Sequence, residues 1–123
     1  MSDRIEQAIA DIEAFAASSE RMADRLHQQA VWNREDVERL RSGMTMADAC
    51  VATHSAERSR TLTRVMAEFE ASRRAIRAST VLALLDEGVS NTDIGKVFGV
   101  SRQLANRLVK DARATADQAS TAL

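Results

Sequence analysis

The side chains with the clearest chemical use lie close together in the last third of the chain. Residues 90–110 read SNTDIGKVFGVSRQLANRLVK and carry Arg102, Gln103, Asn106 and Arg107. Arg, Gln and Asn form paired hydrogen bonds with guanine and adenine edges, and basic side chains bind phosphate oxygens. These residue types at this spacing indicate contact with nucleic acid.

Two short helices joined by a tight turn are predicted to position these side chains. Ser90 and Asp93 form a capping-box pattern at the start of the first helix. Gly99 follows the apolar residues of that helix, where a chain leaving a helix commonly needs a positive φ. Ser101 is placed to cap the second helix.

The run DIGKVFGVSRQLANRL resembles the helix-turn-helix of resolvase-like recombinases, sigma-factor promoter-binding domains and many small bacterial transcription regulators. Gly95 occupies the position of the small residue that lets the two helices approach. Ala105 departs from the pattern, since the family more often has Ile or Val there as a core residue. Either Ala105 or its neighbour Leu104 is therefore expected to pack against the first helix, and that choice sets which side chains face outward.

The resemblance implies a set of DNA-contacting residues. Base edges would be contacted by Ser101, Arg102, Gln103, Asn106 and Arg107. Candidates for phosphate contacts are Arg73, Arg74, Arg77, Thr92, Lys96, Lys110 and Arg113. The charge distribution agrees with this assignment, because residues 73–113 carry eight Lys or Arg against four acidic residues, whereas residues 1–40 carry five Arg against nine. We therefore expect that only the C-terminal part of the chain contacts phosphate.

The composition predicts an all-α fold, since the 123 residues include no proline, four glycines and only 3% aromatic residues. A chain of this length can form one small domain plus an oligomerisation segment. We therefore predict a helical oligomerisation region over residues 1–72 that begins with a long helix. A three-helix helix-turn-helix domain over residues 73–113 and a disordered tail over residues 114–123 follow.

The first helix is predicted over residues 3–31, where apolar residues recur at three- and four-residue steps. It is too long to be covered by the DNA-binding unit, so it needs another helix of the same chain, a second subunit, or both. Asn33 and Asp36 predict the start of a separate short helix that ends at Gly43, with Trp32 as a core or interface anchor. Thr45 and Asp48 predict the start of the next helix in the same way. A long helical stretch from residue 46 to 87 is expected to break within residues 54–63 or near residues 71–74, where Ser and Thr or Arg cluster.

Other chemistry finds little support in the sequence. Cys50 and His54 are spaced to share one helix face, but two ligands make a weak metal site. The chain has no tyrosine and no glycine-rich phosphate loop, so we expect no enzymatic activity, metal or cofactor. A single cysteine, a charged N-terminus and no apolar run longer than residues 81–85 favour a cytoplasmic location at the nucleoid without membrane association.

The sequence thus predicts a transcription regulator or nucleoid-associated factor that binds double-stranded DNA. Its N-terminal helices would form a homodimer or higher oligomer. An alternative is a helical adaptor that docks on a transcription or replication protein, although an adaptor gains little from Arg102, Arg107 and Lys110 together. A sensor that encloses a small ligand is disfavoured, because the alanine-rich stripe of the first helix allows close packing and leaves little cavity.

Overall fold

The structure is a computed structural model that describes residues 2–121 and the side chains of residues 2–118. The described residues form five helices and no strands, which confirms the predicted all-α fold class. The helices are α1 (Asp3–Arg41), α2 (Met46–Ala52), α3 (Ser55–Asp86), α4 (Asn91–Phe98) and α5 (Arg102–Thr121).

Helix α1 is continuous, so the predicted separate helix starting at Asn33 is wrong. The Asn33 side chain does not cap a new helix, because its Oδ1 accepts a hydrogen bond from Gln29 Nε2 one turn earlier, at 3.0 Å. No glycine or proline interrupts the segment. The helix ends where predicted, at Gly43, whose φ of +100° turns the chain while Met44 N–H donates to the Arg39 carbonyl at 3.1 Å.

Helices α2 and α3 divide the long glycine-free stretch. Thr45 caps α2 as predicted, since its Oγ1 accepts a hydrogen bond from Asp48 N–H at 3.1 Å. The break between the helices falls at Thr53 and His54, where Thr53 Oγ1 donates to the Ala49 carbonyl at 2.9 Å and His54 has a φ of +53°. The break therefore lies at the start of the predicted 54–63 window, and α3 passes through residues 71–74 without interruption.

Helix α5 extends further than predicted. Residues 114–121 are helical, whereas a disordered tail was expected from residue 114. Ala and Gln in this segment have good helix propensity, and Thr115 Oγ1 donates to the Asp111 carbonyl one turn earlier, at 3.0 Å. Residues 122 and 123 of the predicted tail lie outside the described residues.

The chain separates into two compact units. The first unit joins the residues up to Phe15 with those from Ser72 onward, and the second covers Ala16–Ala71. The predicted region 1–72 is therefore divided, with its first residues grouped with the predicted DNA-binding segment. The core of the first unit is formed by Val81, Ile94, Ala105, Val109 and Ala112.

The second unit is held by a cluster of polar side chains around Trp32. The guanidinium carbons of Arg25 and Arg58 lie 4.7 Å and 4.4 Å from the centroid of the indole ring. The Asp36 carboxylate accepts from Arg39 Nη1 at 3.2 Å and from Arg58 Nη1 at 3.5 Å. Trp32 is thus an anchor between α1 and α3 within this unit.

Candidate nucleic-acid interface

The turn between α4 and α5 forms as the sequence predicts. Ser90 Oγ accepts a hydrogen bond from Asp93 N–H at 3.2 Å and caps α4. Gly99 adopts φ +66° and ψ +35°, which confirms the predicted left-handed conformation. Val100 N–H then donates to the Gly95 carbonyl at 2.9 Å. This reversal brings the start of α5 against the last turn of α4.

Ala105 is the residue that packs at the crossing of α4 and α5. Its side chain is 0% exposed, whereas Leu104 is 37% exposed. A Cβ placed on Gly95 would lie 3.4 Å from Ala105 Cβ and 3.2 Å from the Val100 carbonyl oxygen, so these helices meet at van der Waals distance. Of the two arrangements that the sequence left open, the one with Leu104 as the buried residue is wrong.

The burial of Ala105 fixes the rotation of α5. Ala105, Val109 and Ala112 form its buried face. On the opposite face Gln103, Arg107 and Lys110 repeat the same four- and three-residue spacing, and all three are exposed. We call these three residues the outward row; at 1.5 Å per residue it spans about 10 Å of helix.

A second group of predicted residues lies on the flank of α5 that faces α4. Arg102, Asn106 and Arg113 are exposed there, and Asn91 Nδ2 donates to Asn106 Oδ1 at 3.2 Å. Asn91 was not predicted. The signal for it was available, since it is the first helical residue after the Ser90 cap. The hydrogen bond brings the N-terminus of α4 beside the base-reading candidates.

The remaining α4 candidates and Ser101 occupy distinct environments. Thr92 is exposed in the first turn of α4. Lys96 Nζ lies 3.7 Å from Asp93 Oδ1, and both side chains are largely exposed. Ser101 Oγ accepts a hydrogen bond from Leu104 N–H at 3.1 Å, so its hydroxyl caps α5.

The predicted phosphate contacts on α3 are divided between two places. Arg74 and Arg77 line a groove together with Leu108, Asp111 and Thr115 of α5. Arg73 lines another groove, together with Phe15, Ile76, Arg77, Thr80 and Phe98. The structure therefore brings Arg74 and Arg77 to one edge of α5 beside Asp111, and Arg73 lines the other groove.

Three cationic residues of α5 are available to an anionic ligand. Among the described residues, Arg102, Arg107 and Lys110 have no carboxylate within ion-pair distance. Binding an anion there would not require an existing ion pair to break. A cation that is solvated by water alone gives up less free energy when it binds an anion than a cation that must first leave a carboxylate partner.

The polar cluster around Trp32 was predicted only in part. Trp32 was predicted as an anchor, but its arginine partners were not, because Arg58 lies far along the chain and pairs with Asp36 across 22 residues. The predicted weak pair of Cys50 and His54 is exposed on the surface. Nowhere in the described part of the chain do three or more His, Cys, Asp or Glu side chains group as metal ligands.

The helices of the described residues include none that is both long and apolar enough to cross a membrane. No protein-family model, curated protein or solved structure matches the chain.

Proposed function

We propose that the chain binds duplex DNA through α4 and α5 and acts as a transcription regulator or nucleoid-associated factor. The observation that carries this proposal is the outward row. Its three side chains are exposed on the face of α5 opposite the core, and Arg107 and Lys110 have no carboxylate partner among the described residues. Arg, Lys and Gln are the side-chain types that contact base edges and phosphate oxygens in protein–DNA complexes.

The dimensions of the outward row suit the major groove. The groove is about 12 Å wide and admits one α-helix. A row of about 10 Å spans roughly three base pairs, given a rise of about 3.4 Å per pair. Gln103 and Arg107 would then contact base edges, and Lys110, one to two turns further along α5, would contact the phosphate backbone.

Asn106 and Asn91 would act at the edge of the same groove. Because Asn106 Oδ1 already accepts from Asn91 Nδ2, the Asn106 amide is oriented with its own Nδ2 as the donor left for DNA. The first turn of α4, with Thr92 exposed, would lie near phosphate, where unpaired backbone N–H groups favour anions. Arg102 and Arg113 on the same flank would add phosphate or base contacts.

A homodimer would strengthen this binding. One helix-turn-helix unit makes few contacts, and linking two units makes the second binding event intramolecular. The exposed apolar residues of α1 support self-association, since Ile9, Ile12 and Leu26 are 40%, 50% and 49% exposed.

The experiment is a fluorescence-anisotropy titration of labelled duplex DNA with the full chain at several salt concentrations. We expect affinity to fall steeply with salt, with a slope of about −0.9 for each phosphate that a cation neutralises. Arg107→Ala should weaken binding, whereas Arg64→Ala, an exposed arginine of α3 in the second unit, should not. Binding that is absent, or equally weak in both variants, contradicts the proposal.

A helical adaptor is the second candidate, favoured by one observation. Val97 of α4 is 60% exposed and Leu104 of α5 is 37% exposed, which leaves apolar surface on the helix pair. An adaptor would use these residues to dock on a protein partner. Replacing both with Ser should abolish an adaptor function and leave DNA affinity within about threefold, since neither carries charge.

A further inference from the structure

Helix α1 carries a row of residues, most of them exposed, at the spacing of a coiled coil. Successive members are separated alternately by four and three residues, which keeps them on one side of the helix. The row, called here the α1 seam, consists of Ile5, Ile9, Ile12, Ala16, Ser19, Ala23, Leu26, Ala30, Asn33 and Val37. Ile9, Ile12, Leu26 and Val37 are between 40% and 50% exposed.

The hydrogen bond, ion pair and cation–π contact that join α1 to Arg58 of α3 use other residues. Arg25, Trp32 and Asp36 contact Arg58 of α3, and none of them belongs to the α1 seam. Single exposed apolar residues are common on protein surfaces. Four large ones in heptad spacing on one helix are typical of a helix that pairs with another helix.

Charged residues beside the α1 seam indicate the direction of the partner. The residues that follow every second seam position are exposed, and they are Glu6, Glu13, Glu20, His27 and Arg34. Arg41, seven residues after Arg34, continues the same flank. The flank is therefore acidic in its first half and basic in its second half. In antiparallel coiled coils this flank meets the same flank of the partner, whereas in parallel ones it meets the opposite flank.

We propose that two copies of the chain pair antiparallel along the α1 seam. Glu13 would face Arg34 of the partner subunit, and Glu20 would face His27 of the partner subunit. The opposite flank offers little for a parallel pair. Its members Ala8, Phe15, Met22 and Gln29 are uncharged, and its only acidic member, Asp36, already pairs with Arg39 and Arg58. The proposal deepens the homodimer put forward above and is independent of DNA binding.

The same register also matches the sizes of the seam residues. Ile12 packs against Val37 of the partner subunit, and Ala23 packs against Leu26 of the partner subunit. Between these layers Ser19 faces Ala30 and Ala16 faces Asn33, so each pair contains at least one small residue. Large residues therefore pack together near both ends of the paired helices, and Ala23 faces Leu26 at the centre. At 39 residues α1 provides about five heptads for the pairing.

Disulfide trapping tests the direction of the pairing. Cys50, the only cysteine, is exposed and is first replaced by Ser. Ile12→Cys and Val37→Cys are then made separately, tagged differently, mixed and oxidised. We expect cross-linked heterodimers in the mixture and no cross-linked dimer from either variant alone. Cross-linking of each variant with itself overturns the antiparallel arrangement, and no cross-linking in any sample overturns pairing along the α1 seam.

A charge exchange tests the register in chains that keep every apolar residue. Glu13→Arg and Arg34→Glu each place like charges at two symmetry-related positions, so each should raise the dimer dissociation constant roughly tenfold in sedimentation equilibrium. The double variant restores opposite charges and should return to within about threefold of the natural chain. Arg21→Glu, an exposed charge reversal on another face of α1, is the matched control and should have no effect.

The outcomes separate this inference from the proposed function. The register would be overturned if the single charge reversals leave the dimer dissociation constant unchanged. It would also be overturned if the double variant dimerises more weakly than either single variant. None of these measurements contains DNA, so a chain that fails to bind DNA can still satisfy them. A monomeric chain that binds DNA would overturn the inference and leave the function standing.

Discussion

Replacing Gly95 by Val tests the crossing of α4 and α5, on which the position of every outward side chain depends. A Cβ at Gly95 would lie 3.2 Å from the Val100 carbonyl oxygen and 3.4 Å from Ala105 Cβ. The first contact is with backbone, which cannot rotate away as a side chain does. The two further methyl groups of Val would have to enter a region that Ala105, 0% exposed, already fills.

The magnitude follows from two opposing effects. Replacing glycine inside a helix gains up to about 1 kcal/mol for Ala and somewhat less for Val, because the unfolded chain loses less freedom. Overpacking at a close contact costs about 1–3 kcal/mol for groups that force backbone shifts. Gly95→Ala should therefore change the free energy of unfolding little, whereas Gly95→Val should lower it by about 1–3 kcal/mol.

The assay is urea denaturation followed by circular dichroism at 222 nm, with the two Gly95 variants compared in one series. Lys96→Val is the matched control, since it places the same β-branched residue at an exposed position of α4 and should cost only a few tenths of a kcal/mol. The prediction is refuted if Gly95→Val has the same free energy of unfolding as the natural chain. It is also refuted if Lys96→Val lowers that free energy as much as Gly95→Val does.

Three further predictions concern the turn, the DNA contacts and the second unit. Gly99→Val should lower the free energy of unfolding by about 1–3 kcal/mol, because its φ of +66° is costly for a β-branched residue, and equal stability in urea denaturation would contradict this. Arg107→Ala should lower the binding free energy by about 1–3 kcal/mol on a preferred DNA site and by less on random duplex. Lys110→Ala should weaken binding to both DNAs equally and reduce the salt slope by about one. Anisotropy titrations in which the two variants behave identically would show that the outward row is misassigned. Arg58→Ala should destabilise the second unit by about 1–3 kcal/mol, since its side chain is only 13% exposed and contacts Trp32, and the fluorescence of this single tryptophan should shift with it. An unchanged melting curve and emission spectrum would contradict that role.

The sequence predicted best those features that depend on a few neighbouring residues. The caps at Thr45 and Ser90 and the helix end at Gly43 formed as expected, because a hydroxyl three residues before a backbone N–H needs no distant partner. The same local signal failed at Asn33, where Gln29 one turn earlier offered its side chain a partner within a continuing helix. A capping pattern thus competes with helix propagation, and neighbouring residues decide the outcome.

Features that depend on packing between distant segments could not be predicted from the sequence. Whether Leu104 or Ala105 packs against α4 depends on how the two helices cross, and the sequence does not give that crossing. The burial of the two side chains in the structure identifies Ala105. The partners of Trp32 required knowledge that α3 returns alongside α1 within the second unit. The heptad spacing of the α1 seam was present in the sequence, but only the exposure of its large residues separated it from the residues that contact α3.

The most direct test of DNA binding is an NMR titration of the ¹⁵N-labelled chain with duplex DNA. We predict that amide shifts will concentrate in residues 101–113 of the α5 region and at Asn91 and Thr92, and that residues 44–66 will be unaffected. Shifts at Val97 and Leu104 without shifts at Asn91, Arg107 and Lys110, or no shifts at millimolar DNA and low salt, would contradict the assignment of α4 and α5 as a DNA-binding surface.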